Sequence, residues 1–233
     1  MRTGRPGTSL SDLAAGFLHL LWPSACTVCG RLGRTVCDSC FDFLIGTVQI
    51  FCLECGAPHP CATHADAPPC AALTAYGGRN RALVHRMKYG GAREIARRMG
   101  AAIGTRIVPP GADCVVPIPL HRDSTRDFNQ AELIAAAAAA VWGVPVRDML
   151  AWRAAVGRQA TAPGRDDRAL PARAIICGDG AAKGLRVVLV DDIYTTGATV
   201  RSARDALTEA GAIVSGAVVW ARTGTSVAQG GMG

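Results

Sequence analysis

Val187-Val188-Leu189-Val190-Asp191-Asp192-Ile193-Tyr194-Thr195-Thr196-Gly197-Ala198-Thr199 is the stretch on which the reading of the fold turns. It begins as a short β-branched and leucine run that ends in two acids, the pattern of a parallel strand buried on both faces. A loop over 193–198 follows, and a helix is predicted to open near Thr199. Strand, tight loop and helix in that order bring free backbone N–H groups and the positive end of a helix dipole to one point, which makes an anion site. Thr195, Thr196 and Thr199 add hydroxyls, Ala198 adds a further N–H, and Gly197 lets the backbone approach a ligand. Asp191 and Asp192 stand one strand end away, at the distance of a sugar from its own phosphate. Carboxylates beside a phosphate repel it unless they meet a cation or hydroxyls, whose hydrogen bonds they accept. Acids and anion site together therefore specify ribose 5-phosphate better than either part alone. The chain has neither a GxxxxGK[ST] phosphate loop nor a GxGxxG dinucleotide fingerprint.

Outward from this stretch, strand-like and helix-like segments alternate between residues 72 and 222. Strands are predicted over 73–76, 114–118, 174–177, 186–191 and 213–220, with helices over 79–88, 92–107, 130–141 and 199–210. Interleaving of this kind implies an α/β domain with a parallel sheet, and ligands of such sheets bind at the carboxyl ends of the strands. Hydrophobic residues make up 49% of the chain, which supports a core. Aromatics are only 5% against abundant alanine, so small residues are expected where helices pack.

Residues 26–70 hold eight of the ten cysteines. Cys26-x2-Cys29 and Cys37-x2-Cys40 are two tight turns that each offer two thiolates, enough for a tetrahedral Zn2+ site, with Gly30 available to relieve the backbone. Cys52-x2-Cys55 with Cys61 and Cys70 forms a second, less regular set. The region has few large apolar residues. A structural zinc contributes on the order of 10–16 kcal/mol in small finger domains, whereas a disulfide contributes about 2–4 kcal/mol. One or two structural zinc ions are therefore expected. The pairing stays open: 26/29 with 37/40 gives consecutive ribbons, and 26/29 with 52/55 gives interleaved ones. All-cysteine sites leave no open coordination position, so the role is structural. Cys114 and Cys177 sit in apolar contexts and read as core.

The formal net charge is +7, yet residues 1–75 carry four arginines against five acids. The excess lies further on, densest in Arg79, Arg81, Arg86, Lys88, Arg93, Arg97, Arg98 and Arg106. Such a patch suits a polyanion, a phosphorylated small molecule or nucleic acid. The apolar run 13–22 contains His19, ends at Pro23 and falls short of the about 20 residues of a bilayer span. It reads as a short amphipathic helix over 9–22. Neither a transmembrane segment nor a secretion signal is recognised, so a cytoplasmic, reducing setting is expected. Residues 157–173 read as a long loop and 224–233 as a disordered tail.

The 187–199 string resembles the phosphoribosyl pyrophosphate signature of type I phosphoribosyltransferases. Val116-Pro117-Ile118-Pro119-Leu120-His121-Arg122, Arg126-Asp127-Phe128-Asn129-Gln130-Ala131-Glu132-Leu133, Lys88-Tyr89 and Trp22-Pro23 ahead of Cys26 are similar to elements of the ComF family. The likeness runs from residue 10 to 222. It implies a parallel-sheet type I phosphoribosyltransferase fold over 72–223. That domain follows a leader over 1–25 and a zinc-ribbon module over 26–71. It implies that Asp191 and Asp192 are the catalytic carboxylates holding the ribose hydroxyls and Mg2+, and that Thr195, Thr196, Gly197, Ala198 and Thr199 cradle the 5-phosphate. It implies further that Lys88, Arg122 and Arg126 face pyrophosphate. The implied partners are phosphoribosyl pyrophosphate or a related sugar phosphate, single-stranded DNA, and a competence helicase or other DNA-uptake proteins. Two functions follow from it: phosphoribosyl transfer to a nitrogen acceptor, or ligand-regulated handling of single-stranded DNA. Phe128, Asn129 and Gln130 open the next helix, where Asn129 is placed to cap it.

Overall fold

A computed structural model describes residues 24–109, 111–153, 174–178, 180 and 182–224. The expected helix over 9–22 and loop over 157–173 lie outside these residues, as do all but the first position of the expected tail. The chain divides into two compact units, Met1–Phe43 and Leu44–Gly233. The division falls inside the cysteine-rich region rather than at its end, so the second cysteine group shares a unit with the sheet.

Helix α1 spans Asp38–Leu44. Five strands then form the main sheet in the order β1-β2-β7-β6-β3: β1 (Gln49–Cys52), β2 (Pro69–Ala75), β3 (Cys114–Pro117), β6 (Arg186–Tyr194) and β7 (Ile213–Arg222). The pairings β2–β7, β7–β6 and β6–β3 are parallel, and β1 joins β2 antiparallel. A second sheet is the antiparallel pair β4 (Leu150–Trp152) and β5 (Ile175–Cys177). Helices α2 (Gly78–Tyr89), α3 (Arg93–Arg106), α4 (Gln130–Trp142) and α5 (Ala198–Glu209) lie between strands. This is the α/β class with a mostly parallel sheet that the alternation predicts.

Strand β6 is the core of the sheet. Val187, Val188, Leu189 and Val190 are all fully buried, as a two-sided strand requires. Val187 and Leu189 pack with Val116, Ala217 and Val219 of the neighbouring strands and with Val200, Ala203 and Leu207 of α5. The strand runs through both acids to Tyr194, because Ile193 and Tyr194 still pair with Ala221 and Arg222. The predicted end at Asp191 is thus three residues short, and the loop before α5 is correspondingly tighter.

Small residues set the contact between α3 and α4, as the composition implies. A Cβ on Gly100 would collide with the Ile134 carbonyl, and one on Gly104 would sit 2.7 Å from Val141 Cβ. Trp142 Nε1 donates to the Gly104 and Ile107 carbonyls at 3.1 and 2.9 Å, filling acceptors that the end of α3 leaves open. Asn129 caps α4 as expected, accepting from the Ala131 N–H at 3.1 Å. Among the described residues no helix is long and apolar enough to cross a membrane.

Candidate functional site

The carboxyl ends of β3 and β6 open onto a cavity of about 250 Å³. Its lining includes Lys88, Arg126, Asp191, Asp192, Thr195 and Thr199. These come from α2, the loop after β3, the end of β6 and the start of α5, segments brought together by the parallel sheet. Arg122 is exposed on the same loop but does not line the cavity. Thr196 is exposed, with its Oγ1 accepting from the Ala198 N–H at 3.4 Å.

Asp192 is 6% exposed and accepts from Lys88 Nζ at 2.7 Å. Its own N–H donates to Asp191 Oδ1 at 2.7 Å. Burial, then the neighbouring Asp192 carboxylate, push the Asp191 carboxyl up to about 7 despite that N–H, Lys88 and Arg126. Lys88 is closed on Asp192 while Asp191 has only the charge of Lys88 and Arg126 near it, an arrangement poised for further positive charge or hydroxyl donors. Their oxygen donors suit a hard cation such as Mg2+.

Arg126 is aimed by its neighbours. Its Nε donates to Ser124 Oγ at 2.9 Å and its Nη1 to Gln130 Oε1 at 2.6 Å, while Gln130 is itself 1% exposed. Gln130 therefore holds a functional candidate as well as opening α4. Asn129 Nδ2 ties the same loop to the Ile118 carbonyl at 3.0 Å. His121 stands edge-on to Trp152 with ring centroids 4.7 Å apart, and Trp152 Nε1 donates to the Pro119 carbonyl at 2.9 Å. His121, Gln130 and Trp152 line the cavity, and none was a site candidate by sequence. Trp152 gives no local signal, because only the fold brings β4 to this loop.

Gly197 has a second job beside the one its sequence context implies. It is the N-cap of α5 at φ +77°, and a Cβ there would strike the Tyr194 phenol and lie 2.7 Å from Arg201 Nη1. The glycine admits protein side chains as well as a left-handed backbone.

The thiols form two clusters whose ligand atoms all lie within 4.8 Å of one another: Cys26, Cys29, Cys37 and Cys40, and Cys52, Cys55, Cys61 and His64. A tetrahedron with arms of about 2.3 Å has edges of about 3.8 Å. Cys29 and Cys37 sulfurs are 3.8 Å apart, Cys55 and Cys61 sulfurs 3.6 Å, and His64 Nδ1 is 3.7 Å from Cys61 Sγ. Both donor sets fit zinc. The ribbons are consecutive, and Gly30 takes φ +76° behind Cys29 as the tight turn needs. Burial works against ionising Cys26, but the N–H groups of Cys37, Cys29 and Val28 bring it down to about 6. The hydrogen bond to Cys37 raises Cys40 to about 12. A cation is what ionises such a set together.

Cys70 is a correction. It is fully buried in β2, opposite Ala217 of β7 and Phe51 of β1, where burial pushes its thiol up. His64 takes the fourth position in its place. Cysteine count favours the wrong residue because the strand hides the thiol in the core.

No family model matches the chain. Over 201 residues it is 25% identical to competence protein ComFC of Bacillus subtilis, covering 77% of this chain and 80% of that one. Over 98 residues it is 34% identical to competence protein ComFC of Streptococcus pneumoniae, spanning 42% of each. It is also similar to the adenine phosphoribosyltransferase structure from Thermoanaerobacter pseudethanolicus, at 16% identity and a TM-score of 0.38. That match covers 57% of this chain and 83% of the other. The chain is thus similar to ComFC, and joins a mostly parallel α/β domain, with two carboxylates and a helix N-terminus at one cavity, to two zinc-compatible clusters.

Proposed function

We propose that the cavity binds the ribose 5-phosphate unit of phosphoribosyl pyrophosphate with Mg2+, and that the chain transfers the phosphoribosyl group to a nitrogen acceptor. The observation that supports this most is the pairing of Asp191 and Asp192, with Lys88 closed on Asp192 and Arg126 in the same cavity, beside the N-terminus of α5. The α5 N–H groups, with Thr195 and Thr199, receive the 5-phosphate. The carboxylates accept from the ribose hydroxyls. The cavity is at the small end of ligand pockets, which suits a pentose phosphate.

In the transfer, the bond from C1 to pyrophosphate oxygen breaks, a bond from C1 to the acceptor nitrogen forms, and that nitrogen loses a proton. Positive charge grows at C1 as negative charge grows on the leaving oxygen. Asp191 and Asp192 favour the first, and Lys88 and Arg126 the second. When bound, Mg2+ supplies further positive charge to the leaving group. Gln130 and Ser124 keep Arg126 aimed, so little reorganisation is needed at the moment of reaction.

Calorimetry with phosphoribosyl pyrophosphate and Mg2+ tests the binding. Asp191→Asn is expected to weaken it by at least about tenfold, the loss of a charge-assisted hydrogen bond. Unchanged affinity overturns the site. Consumption of phosphoribosyl pyrophosphate against a panel of bases and amines tests the transfer, and tight binding without turnover removes that half.

A second reading has its own observation. Arg81, Arg86, Arg97 and Arg106 are exposed on α2 and α3, positive charge suited to a nucleic-acid backbone. The name of the Bacillus relative, a competence protein, agrees with handling of single-stranded DNA, and a competence helicase or other uptake protein is the matching partner. Salt-steep DNA binding that falls on charge reversal of Arg81 and Arg97 supports it. Salt-insensitive binding, or none, removes it.

A further inference from the structure

The turn between Cys52 and Cys55 is gripped from outside by three side chains. The Leu53 carbonyl accepts from Tyr194 Oη at 3.0 Å, the Glu54 carbonyl from Arg201 Nη1 at 2.9 Å, and the Gly56 carbonyl from Arg222 Nη2 at 2.8 Å. Arg222 also lies over the Phe51 ring at 3.9 Å, and Phe51 meets Tyr194 edge-on at 4.8 Å. The Glu54 side chain pairs with Arg204 of α5.

Arg201 does two things at once. The same Nη1 that reaches Glu54 donates to the Thr196 carbonyl at 2.9 Å. One nitrogen thus joins a metal-binding turn to the loop assigned to the 5-phosphate. Gly197 is packed against both Tyr194 and Arg201, with no room for a Cβ. The loop is therefore held on the side away from the cavity by residues whose other contacts lie on the metal turn.

We infer that Arg201 is a positioning residue that ties the phosphate loop to the metal turn, so that filling the Cys52/Cys55/Cys61/His64 site tightens binding at the sugar-phosphate site. The inference rests on the sugar-phosphate reading above. Its logic is conformational. The Leu53, Glu54 and Gly56 carbonyls converge on their donors only while the turn is closed, and Cys52, Cys55, Cys61 and His64 close it around an ion. With the turn open, Arg201 loses one of its two acceptors and Thr196 is no longer fixed. The N–H groups that face the phosphate must then be ordered at the moment of binding, at the expense of affinity. Linkage makes the effect reciprocal: a sugar phosphate must tighten the hold on the metal by the same factor.

The test uses the zinc-loaded full chain and ribose 5-phosphate, with affinity read by calorimetry and zinc retention by transfer to a coloured chelator. In the wild type, saturating ligand is expected to raise the retention of one zinc by about tenfold, within the usual range of such couplings. Arg201→Met is expected to weaken ribose 5-phosphate by about the same factor and to cancel the ligand's effect on zinc. Arg201→Lys restores part of both, since an ammonium can still reach a carbonyl. Tight ligand binding with zinc retention unchanged in the wild type overturns the inference, and this result stands even if no Arg201 variant folds. Arg201→Met that loses affinity while the ligand still protects zinc also overturns it, because Arg201 would then act on the phosphate directly. A lowered melting temperature with full affinity overturns it too. Absence of any ribose 5-phosphate binding by the wild type is a separate result: it removes the sugar-phosphate reading, and the inference falls with it.

Discussion

The two thiol clusters offer an ion nearly the same tetrahedron and are built in opposite ways. Around Cys26, Cys29, Cys37 and Cys40 the contacts are local. The Cys37 N–H reaches Cys26 Sγ eleven residues away, and Thr27 reaches the Thr35 carbonyl eight residues away. Around Cys52, Cys55, Cys61 and His64 the turn is held by Tyr194, Arg201 and Arg222, which lie 141, 147 and 166 residues from the carbonyls they meet. The first cluster is a ribbon that its own sequence closes. The second is an extension of β1 that the sheet closes. A local site shows itself in spacing, whereas a site closed by the fold shows itself only in three dimensions.

That contrast predicts unequal responses to metal loss, the largest effect expected here. Cys29→Ser and Cys55→Ser should each reduce zinc from two per chain to one, as counted by elemental analysis against the two clusters. Cys55→Ser should in addition lower the main thermal transition, followed by Trp152 and Trp220 fluorescence, by several kcal/mol. The loss stays short of the ~10–16 kcal/mol of free-standing zinc fingers, because the sheet has a core of its own. If Cys29→Ser shifts that transition as far as Cys55→Ser, the contrast between a local and an integrated cluster fails. His64→Ala should also remove one zinc, while Cys70→Ala leaves both and costs only a small cavity. A zinc lost with Cys70 would restore the ligand set that the cysteine count suggests.

The integrated unit should also respond to pH, through a group at the far end of β6. Asp191 is raised to about 7 by burial and by Asp192. The stabilisation is full below the unfolded value of about 4 and is lost as pH rises through about 7. With zinc bound, the main transition should therefore fall as pH rises from about 5 to about 7 and level off above, by on the order of 1–2 kcal/mol after allowing for solvent in the cavity. Asp191→Asn should flatten the profile, and an unchanged slope would show that burial beside Asp192 does not hold the Asp191 proton. Zinc affinity moves the other way, since thiolates protonate as pH falls.

What was legible follows the same division. The buried run of β6, the N-terminus of α5, the Asn129 cap and the grouping of the first four cysteines are each decided within about fifteen residues, and the structure has each of them. Strand β1 was missed because Gln49–Cys52 lies in a cysteine-rich segment without alternation, and pairing with β2 is what makes it a strand. Cys70 was taken for a ligand because composition counts thiols and cannot see a strand burying one. Arg126 lines the cavity and Arg122 does not, although both were expected there and both sit on one loop. What separates them is Ser124 and the buried Gln130, which turn one guanidinium inward.

The smallest effect probes the comparison most closely. Tyr194→Phe keeps the ring against Phe51 and removes only the hydroxyl that donates to the Leu53 carbonyl. The Tyr194 side is buried, so that carbonyl loses its side-chain donor without gaining water. The cost should be about 1 kcal/mol in the main transition. If the second cluster is truly part of the sheet, the substitution should also speed zinc release from one of the two sites, though no ligand atom has been touched. A cluster closed by its own sequence would not notice a phenol 141 residues away. Loss of stability with zinc release unchanged would mean that Tyr194 braces the sheet alone, and that the metal turn closes as locally as the first.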